Sequence, residues 1–365
     1  MGNRERFLKV MNYEEVDRVP VSLAGPWNDT IERWKREGFP GGADIHEFLG
    51  VNEFGVKLKN ISGQTGIYPP FEEKIIQEDE KIKIFIDRCG RVVKDFKDHT
   101  SMPHWIEFPV KNKNDLKRII DERFNFDRIE ERYTEDWVEN FKKIKEGKDY
   151  LILIDGGCYY WNLRSLAGID GASYLFYDAP EIVDELFERI NYFCIEGIKR
   201  ATKYLKIDIV GFGEDIAFKN GPLISPIMFE KFVLPRYKKV MEIANSKGIF
   251  LTWYDSDGDL RTLIPYYFEA GINCFSPCEV AAGMSCPELR EKFGKNLRMI
   301  GGIDKREIAK GKKEIDREIE RNRKLIEEGG YIPGIDHSVS SDISFDNYRY
   351  YIEKLIKVTD LSTVK

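Results

Sequence analysis

The sequence predicts a (β/α)8 barrel, and three observations predict it. From Tyr150 onward, short apolar runs of strand length alternate with longer amphipathic runs of helix length. Such regular alternation implies parallel strands joined by right-handed crossovers. Nearly every apolar run ends in a glycine or a carboxylate, as at the loop-bearing mouth of a parallel barrel. Finally, no GxGxxG follows the first strand, which leaves a doubly wound open sheet as the alternative architecture.

Taken in order, Asn3–Met11 reads as a helix with Phe7, Leu8 and Met11 on one face, an N-terminal helical extension. Arg18–Leu23 is the first strand, followed by a Gly25-Pro26-Trp27 loop and short helices at Thr30–Glu37 and Asp44–Leu49. Between Val51 and about Pro103 the texture changes, with an insertion at about 68–103: Phe71–Ile76 and Lys81–Ile86 alternate apolar and polar side chains, and Asp87–Gly90 makes a turn into Arg91–Phe96. That pattern predicts a β-hairpin insertion, with one further barrel strand nearby. Lys111–Gly147 is charged and helix-prone. The strands that follow are Tyr150–Asp155, Ile207–Phe212, Ile249–Tyr254, Ile272–Phe275, Leu297–Ile300 and Tyr331–Ile335, which brings the total towards eight. The helices between and after them are Trp161–Ala167, Pro180–Leu205, Ser225–Ser246, Leu260–Ala270, Cys286–Phe293, Lys313–Glu328 and Ser344–Val358. No linker or internal repeat divides residues 1–365, so one domain is expected.

Composition bounds the function. Hydrophobic residues make up 42% of the 365, ample for a large core, and 57 basic against 63 acidic residues give a net charge of −6. That balance disfavours nucleic acid and anionic membranes as partners. No run of 18 apolar residues is present and the first residues form no apolar leader. The six cysteines have no disulfide-like or CxxC spacing; Cys274 and Cys278 could form half a metal site, but small core residues are the simpler reading. A cytoplasmic protein with reduced thiols is expected.

The strand exits concentrate polar residues: Gly156-Gly157, Glu214-Asp215, Asp255-Ser-Asp257, Glu279, Asp304 and Asp336-His337. Each acid alone reads as a helix cap or turn residue. Five acidic exits among six at one mouth exceed what capping needs. Carboxylates that close repel and raise one another's pKa unless a cation or donors intervene. Acids with a histidine describe a divalent-metal site or a proton-handling site. His337, beside Asp336 after the last strand, is the histidine placed for such a role; His46, His99 and His104 fall in helix or insertion contexts that favour surface or packing roles. Tyr159, Tyr160 and Trp161 either line the mouth or belong to the core.

Several segments together resemble the uroporphyrinogen decarboxylase superfamily over essentially the whole chain. They are Arg4–Leu8 leading to Asp17–Val21, Gly213–Pro226, Asp255–Asp259, Met299–Asp304, and Asp336-His337 with Phe345 and Asn347 following. The resemblance implies a (β/α)8 barrel and one of two chemistries. One branch decarboxylates the acetate arms of uroporphyrinogen without a cofactor. The other moves a methyl group between a corrinoid protein and a thiol activated by zinc. Decarboxylases carry an arginine-rich motif after the first strand, where this chain reads Ser22–Trp27 without arginine. A ligand bearing eight carboxylates would be repelled from such a mouth. The methyltransferase His-x-Cys zinc pair becomes Asp255-x-Asp257, and the distant Cys becomes His337.

The expectation is therefore a methyltransferase acting between a corrinoid protein or small methylated substrate and an acceptor. Glu214, Asp257 and His337 are the catalytic candidates. Glu214, Asp255, Asp257 and His337 are the candidate ligands of a divalent metal, zinc or a harder cation. Tyr159, Asp215, Glu279 and Asp304 are the candidate substrate contacts. A uroporphyrinogen-type carboxy-lyase and a non-catalytic tetrapyrrole-binding protein are the alternatives, and a homodimer is compatible with any of them.

Overall fold

The computed structural model describes residues 1–52, 55–97, 102–144 and 149–362. Thirteen strands are present among them. They are β1 (Lys57–Asn60), β2 (Lys74–Glu78), β3 (Ile82–Ile86), β4 (Val92–Phe96), β5 (His104–Glu107), β6 (Tyr150–Asp155) and β7 (Ile209–Gly213). The remainder are β8 (Ala217–Phe218), β9 (Gly221–Pro222), β10 (Leu251–Asp255), β11 (Cys274–Ser276), β12 (Arg298–Ile303) and β13 (Tyr331–Ile335). Seven of these form one parallel, curled sheet in the order β1-β6-β7-β10-β11-β12-β13. Apart from β1, which is polar and largely exposed, its strands are mostly buried apolar runs, as parallel strands under helices must be.

The expected eighth strand at Arg18–Leu23 is present in place but not as a ladder. Ser22 N–H donates to the Pro333 carbonyl at 2.9 Å, and isolated bridges join Ser22 to Gly334 and Pro26 to Val339. On its other side Pro20 lies so close to Gly55 that a Cβ on Gly55 would stand 2.5 Å from the Pro20 ring. This segment fills the space between β13 and β1 through a few hydrogen bonds and close packing. The hydrogen-bonded sheet thus has seven strands among the described residues, one fewer than a complete ring. The helix that follows this segment, Asn28–Arg36, is fixed by Trp34. Its ring stacks on Tyr348 of the last helix at 4.8 Å, and its indole N–H donates to the Ile343 carbonyl at 2.9 Å.

The insertion is larger than a hairpin. β2, β3, β4 and β5 make a four-stranded antiparallel sheet, because His104–Glu107 supplies a further strand beyond the alternating runs. His104 is exposed on it, His46 sits in the short helix Ile45–Leu49, and His99 lies outside the described residues. All six cysteines are free thiols, and Cys274 and Cys278 are core residues. Among the described residues, no helix is long and apolar enough to cross a membrane.

Register levels the strand exits. Asp255 of β10 pairs with Gly213 of β7 on one side and Ser276 of β11 on the other, and Ile303 pairs with Ile335 across β12 and β13. The residues just past these ends therefore meet at one mouth. Glu214, the first residue after β7, anchors the neighbouring helix. Its buried carboxylate accepts the N–H groups of Tyr159 and Trp161, at 2.6 and 2.8 Å, and the Tyr237 hydroxyl at 2.8 Å. The first two are orphan donors at the start of helix Tyr159–Asp178, so Glu214 caps that helix from a different strand. Burial pushes the Glu214 carboxyl up to about 7 against the pull of these donors.

Two outcomes test this architecture. Trp34→Ala removes a fully buried ring that holds the first segment to the last helix, and should cost about 3–5 kcal/mol in denaturant unfolding. Glu214 binds its proton more tightly folded than unfolded, so its contribution to stability declines as pH rises from its unfolded value through about 7. Thermal unfolding scanned from pH 4.5 to 7.5 should show that decline, and Glu214→Gln should flatten it.

Candidate functional site

The mouth holds a cavity of about 310 Å³ at the C-terminal ends of the parallel strands. Its charged lining is Asp215, Asp255, Asp257 and His337, and among the described residues no lysine or arginine lines it. Each arrives from a different local cause. Along β10 and its extension, Trp253, Asp255 and Asp257 are two residues apart, so the period of a strand turns all three to the cavity face. Asp215 follows β7 in a left-handed conformation, φ 42°, a geometry that is costly for a side chain other than glycine. His337 follows β13. Gly301 of β12 also lines the cavity at φ 102°, where a Cβ would stand 2.2 Å from the Pro277 carbonyl oxygen. Only glycine lets that strand pass so close.

The polar groups are tied to one another. His337 Nε2 lies 3.3 Å from Asp257 Oδ2. The Asp257 hydrogen bond and charge raise the His337 pKa above its ordinary value of 6.5, against burial and Lys305, which lower it; Glu279 adds to the rise. With Nε2 turned to Asp257, the lone pair falls to Nδ1, which is buried and without a hydrogen-bond partner among the described residues. Asp257 N–H donates to Asp215 Oδ1 at 3.4 Å. Asp215 is held in turn by Arg164, whose guanidinium donates to the Asp215 carbonyl at 3.0 Å, lies 3.5 Å from Oδ2 and stacks 4.6 Å from the Trp161 ring centre. A continuous chain therefore runs Arg164–Asp215–Asp257–His337.

The other expected site residues lie around this chain rather than in it. Glu214 has both oxygens on the amides and hydroxyl described above and does not line the cavity. Tyr159 is fully buried in the core, where its hydroxyl donates to Asn191 at 2.9 Å. Glu279 accepts the Gly258 N–H at 3.2 Å and so braces the turn after Asp257. Asp304 caps helix Lys305–Lys310 and pairs with Arg306 at 2.7 Å; burial pushes its carboxyl up, and the Arg306 bonds outweigh that and leave it below the ordinary range. Asp336 accepts the N–H groups of Val280 and Lys305, at 2.9 and 3.0 Å, joining the loops after β11 and β12; burial pushes it up to about 6. Asp259 turns away into a pair with Arg261 at 2.8 Å.

The donor set bears on a metal. No cysteine lines the cavity, so a thiolate-rich zinc centre does not fit these residues. Among the described residues, no three His, Cys, Asp or Glu side chains stand close enough to share one ion. The four expected ligands are divided, with Glu214 committed to the helix start and His337 and Asp257 to one another.

Sequence reasoning missed Arg164 and Trp253. Arg164 gave no local signal, since a lone arginine on a helix is ordinarily solvent-facing. Trp253 did give one, because it stands at the same two-residue spacing as the two aspartates.

Comparison with known proteins places this geometry. No curated protein matches the chain significantly. A methyltransferase from Methanosarcina mazei has a similar structure: TM-score 0.60, 15% identity, covering 99% of this chain and 98% of the other. At that identity the likeness shows the shared fold. A B12-independent methionine synthase from Shewanella sp. W3-18-1 covers 93% of this chain and 97% of its own at 11% identity, but its TM-score of 0.40 carries no argument. The family model described as uroporphyrinogen decarboxylase (URO-D) matches residues 160–357, more than half of the chain and the part that contains Arg164, Asp215, Asp257 and His337. The chain is a member of the uroporphyrinogen decarboxylase (URO-D) family.

Proposed function

We propose that this family member is a methyl-transfer enzyme acting on a small molecule, with Asp257 and His337 as its working pair. The observation that carries the reading is the cavity itself: about 310 Å³, lined by three carboxylates and a histidine, with no arginine or lysine among the described residues. That volume is at the low end of small-molecule sites. A macrocycle with eight carboxylates needs more room and cationic partners. Ser22 and Ala24 line the cavity where decarboxylases carry arginines, which weighs against the lyase reading.

Methyl transfer to a protic acceptor asks for three things of the protein. The methyl carbon must be held in line between donor and acceptor, water must be kept out, and the acceptor's proton needs a destination. The Arg164–Asp215–Asp257 chain fixes the imidazole. Asp257 orients it and stabilises its charged form, and Nδ1 receives the proton that the acceptor gives up. Trp253, Ile300 and Ile335 supply apolar wall. A corrinoid is too large for this cavity, so a corrinoid-linked reaction would present that group at the mouth on a partner protein. The proposal includes a cytoplasmic location and leaves room for a homodimer.

The test is a screen of methyl donors with methylated product as readout. The chain should transfer methyl groups and release no carbon dioxide from uroporphyrinogen. His337→Gln should lower the rate by about 10²–10⁴-fold, as loss of a general base does, with an unchanged melting temperature. Carbon dioxide release from uroporphyrinogen would overturn the reading in favour of the lyase.

A further inference from the structure

We infer that Glu214 is a positioning residue for the Asp257–His337 pair, acting through the start of helix Tyr159–Asp178; this rests on the reading of that pair as the working groups. Glu214 Oε1 accepts the Tyr159 N–H at 2.6 Å and the Tyr237 hydroxyl at 2.8 Å, and Oε2 accepts the Trp161 N–H at 2.8 Å. Both oxygens are engaged, and the residue is 1% exposed. A helix start is ordinarily capped by the residue just before it. Here that residue is Cys158, whose side chain makes no capping bond. The acceptor comes instead from the exit of β7, 55 residues from Tyr159. The helix is also interrupted at Gly168, φ 73°, so the piece that Glu214 holds is short and its placement depends on its ends.

The same exit is stitched to the exit of β10. Glu214 N–H donates to the Asp255 carbonyl at 3.1 Å, Ile216 N–H donates to Ser256 Oγ at 3.2 Å, and Asp257 N–H donates to Asp215 Oδ1 at 3.4 Å. A second tie joins it to the helix. Arg164, one turn past Trp161 and 4.6 Å from its ring centre, donates to the Asp215 carbonyl at 3.0 Å and lies 3.5 Å from Asp215 Oδ2. Glu214 thus sets the first turn, which sets where Arg164 stands. Arg164 holds Asp215, and Asp215 holds the backbone of Asp257, whose carboxylate lies 3.3 Å from His337 Nε2. Asp215 stands at φ 42°, a conformation that persists only while its surroundings hold it.

The carboxylate is specific to this task. A glutamine keeps one acceptor oxygen for three donors and turns an NH2 group toward a backbone N–H. One helix amide is then buried without a partner, and the helix start must move to find another. Trp161 and Arg164 lie on the first turns and move with it. A residue that only stabilised the fold would change the melting temperature and leave the geometry of the folded mouth alone.

Histidine-ring ¹⁵N resonances of the full chain at one fixed pH test this, with His337→Gln identifying the signal. Glu214→Gln should move the His337 signal in the direction that Asp257→Asn moves it. Arg164→Met leaves the cap intact and removes the link to Asp215; it should move the signal the same way. The double variant should move it no further than the larger single shift, because both act along one path. Thr134→Ala removes the cap of helix Glu135–Lys142, which takes no part in that path; it should lower the melting temperature and leave the signal in place. An unmoved His337 signal in Arg164→Met overturns the inference, and that comparison does not depend on Glu214→Gln folding. Additive shifts in the double variant, or an equal shift in Thr134→Ala, overturn it too. The predicted shifts without methyl transfer from any donor would support the positioning role and overturn the methyl-transfer reading. Methyl transfer by a chain whose His337 signal ignores both substitutions would do the reverse.

Discussion

Mutual repulsion among carboxylates is the constraint on which the mouth of this barrel depends. Parallel strands in register deliver their exit residues to one level, and here those residues are largely acidic. Two carboxylates about 5 Å apart repel by about 3 kcal/mol at an effective dielectric near 20. The fold relieves most of this by giving individual acids separate donors. Glu214 takes two helix amides and a phenol, Asp336 takes two loop amides, Asp304 takes Arg306, and Asp259 takes Arg261.

What remains after that distribution is the candidate site. Asp215, Asp255 and Asp257 face a shared cavity, and Asp215 and Asp257 are relieved by side chains that reach in from elsewhere. Arg164 comes from the helix after β6 and His337 from the exit of β13. The pair at Asp257 therefore spans the mouth, joining a strand near the middle of the sheet to one at its edge. A histidine raised by a neighbouring carboxylate, inside a cavity of small-molecule size, is the kind of arrangement in which functional sites concentrate.

Much of this was legible in the sequence, for reasons that differ by residue. Strand ends were readable because buried parallel strands are apolar runs, and the first polar residue marks the exit. Asp255, Asp257 and His337 were found that way. The same signal cannot separate a capping acid from a site acid, since both stand one step past a strand. Glu214 and Asp304 look like Asp215 in the sequence and differ only in which amides fall within reach. Arg164 was invisible because its role depends on a contact 51 residues away. In the sequence the insertion looks like a hairpin because its last strand, His104–Glu107, is short and lacks clean alternation. The segment expected as the first strand forms no strand ladder, only isolated bridges, a difference that no local pattern encodes.

The account holds that Asp257 and His337 form one electrostatic unit, the imidazole kept basic by the carboxylate. Titration of ¹⁵N-histidine resonances tests this without any substrate. The chain has four histidines, so His337→Gln assigns the signal by its disappearance. The account predicts that the His337 ring titrates above 6.5, and that Asp257→Asn lowers that value. A His337 ring that titrates at or below 6.5 and does not move in the variant would contradict it.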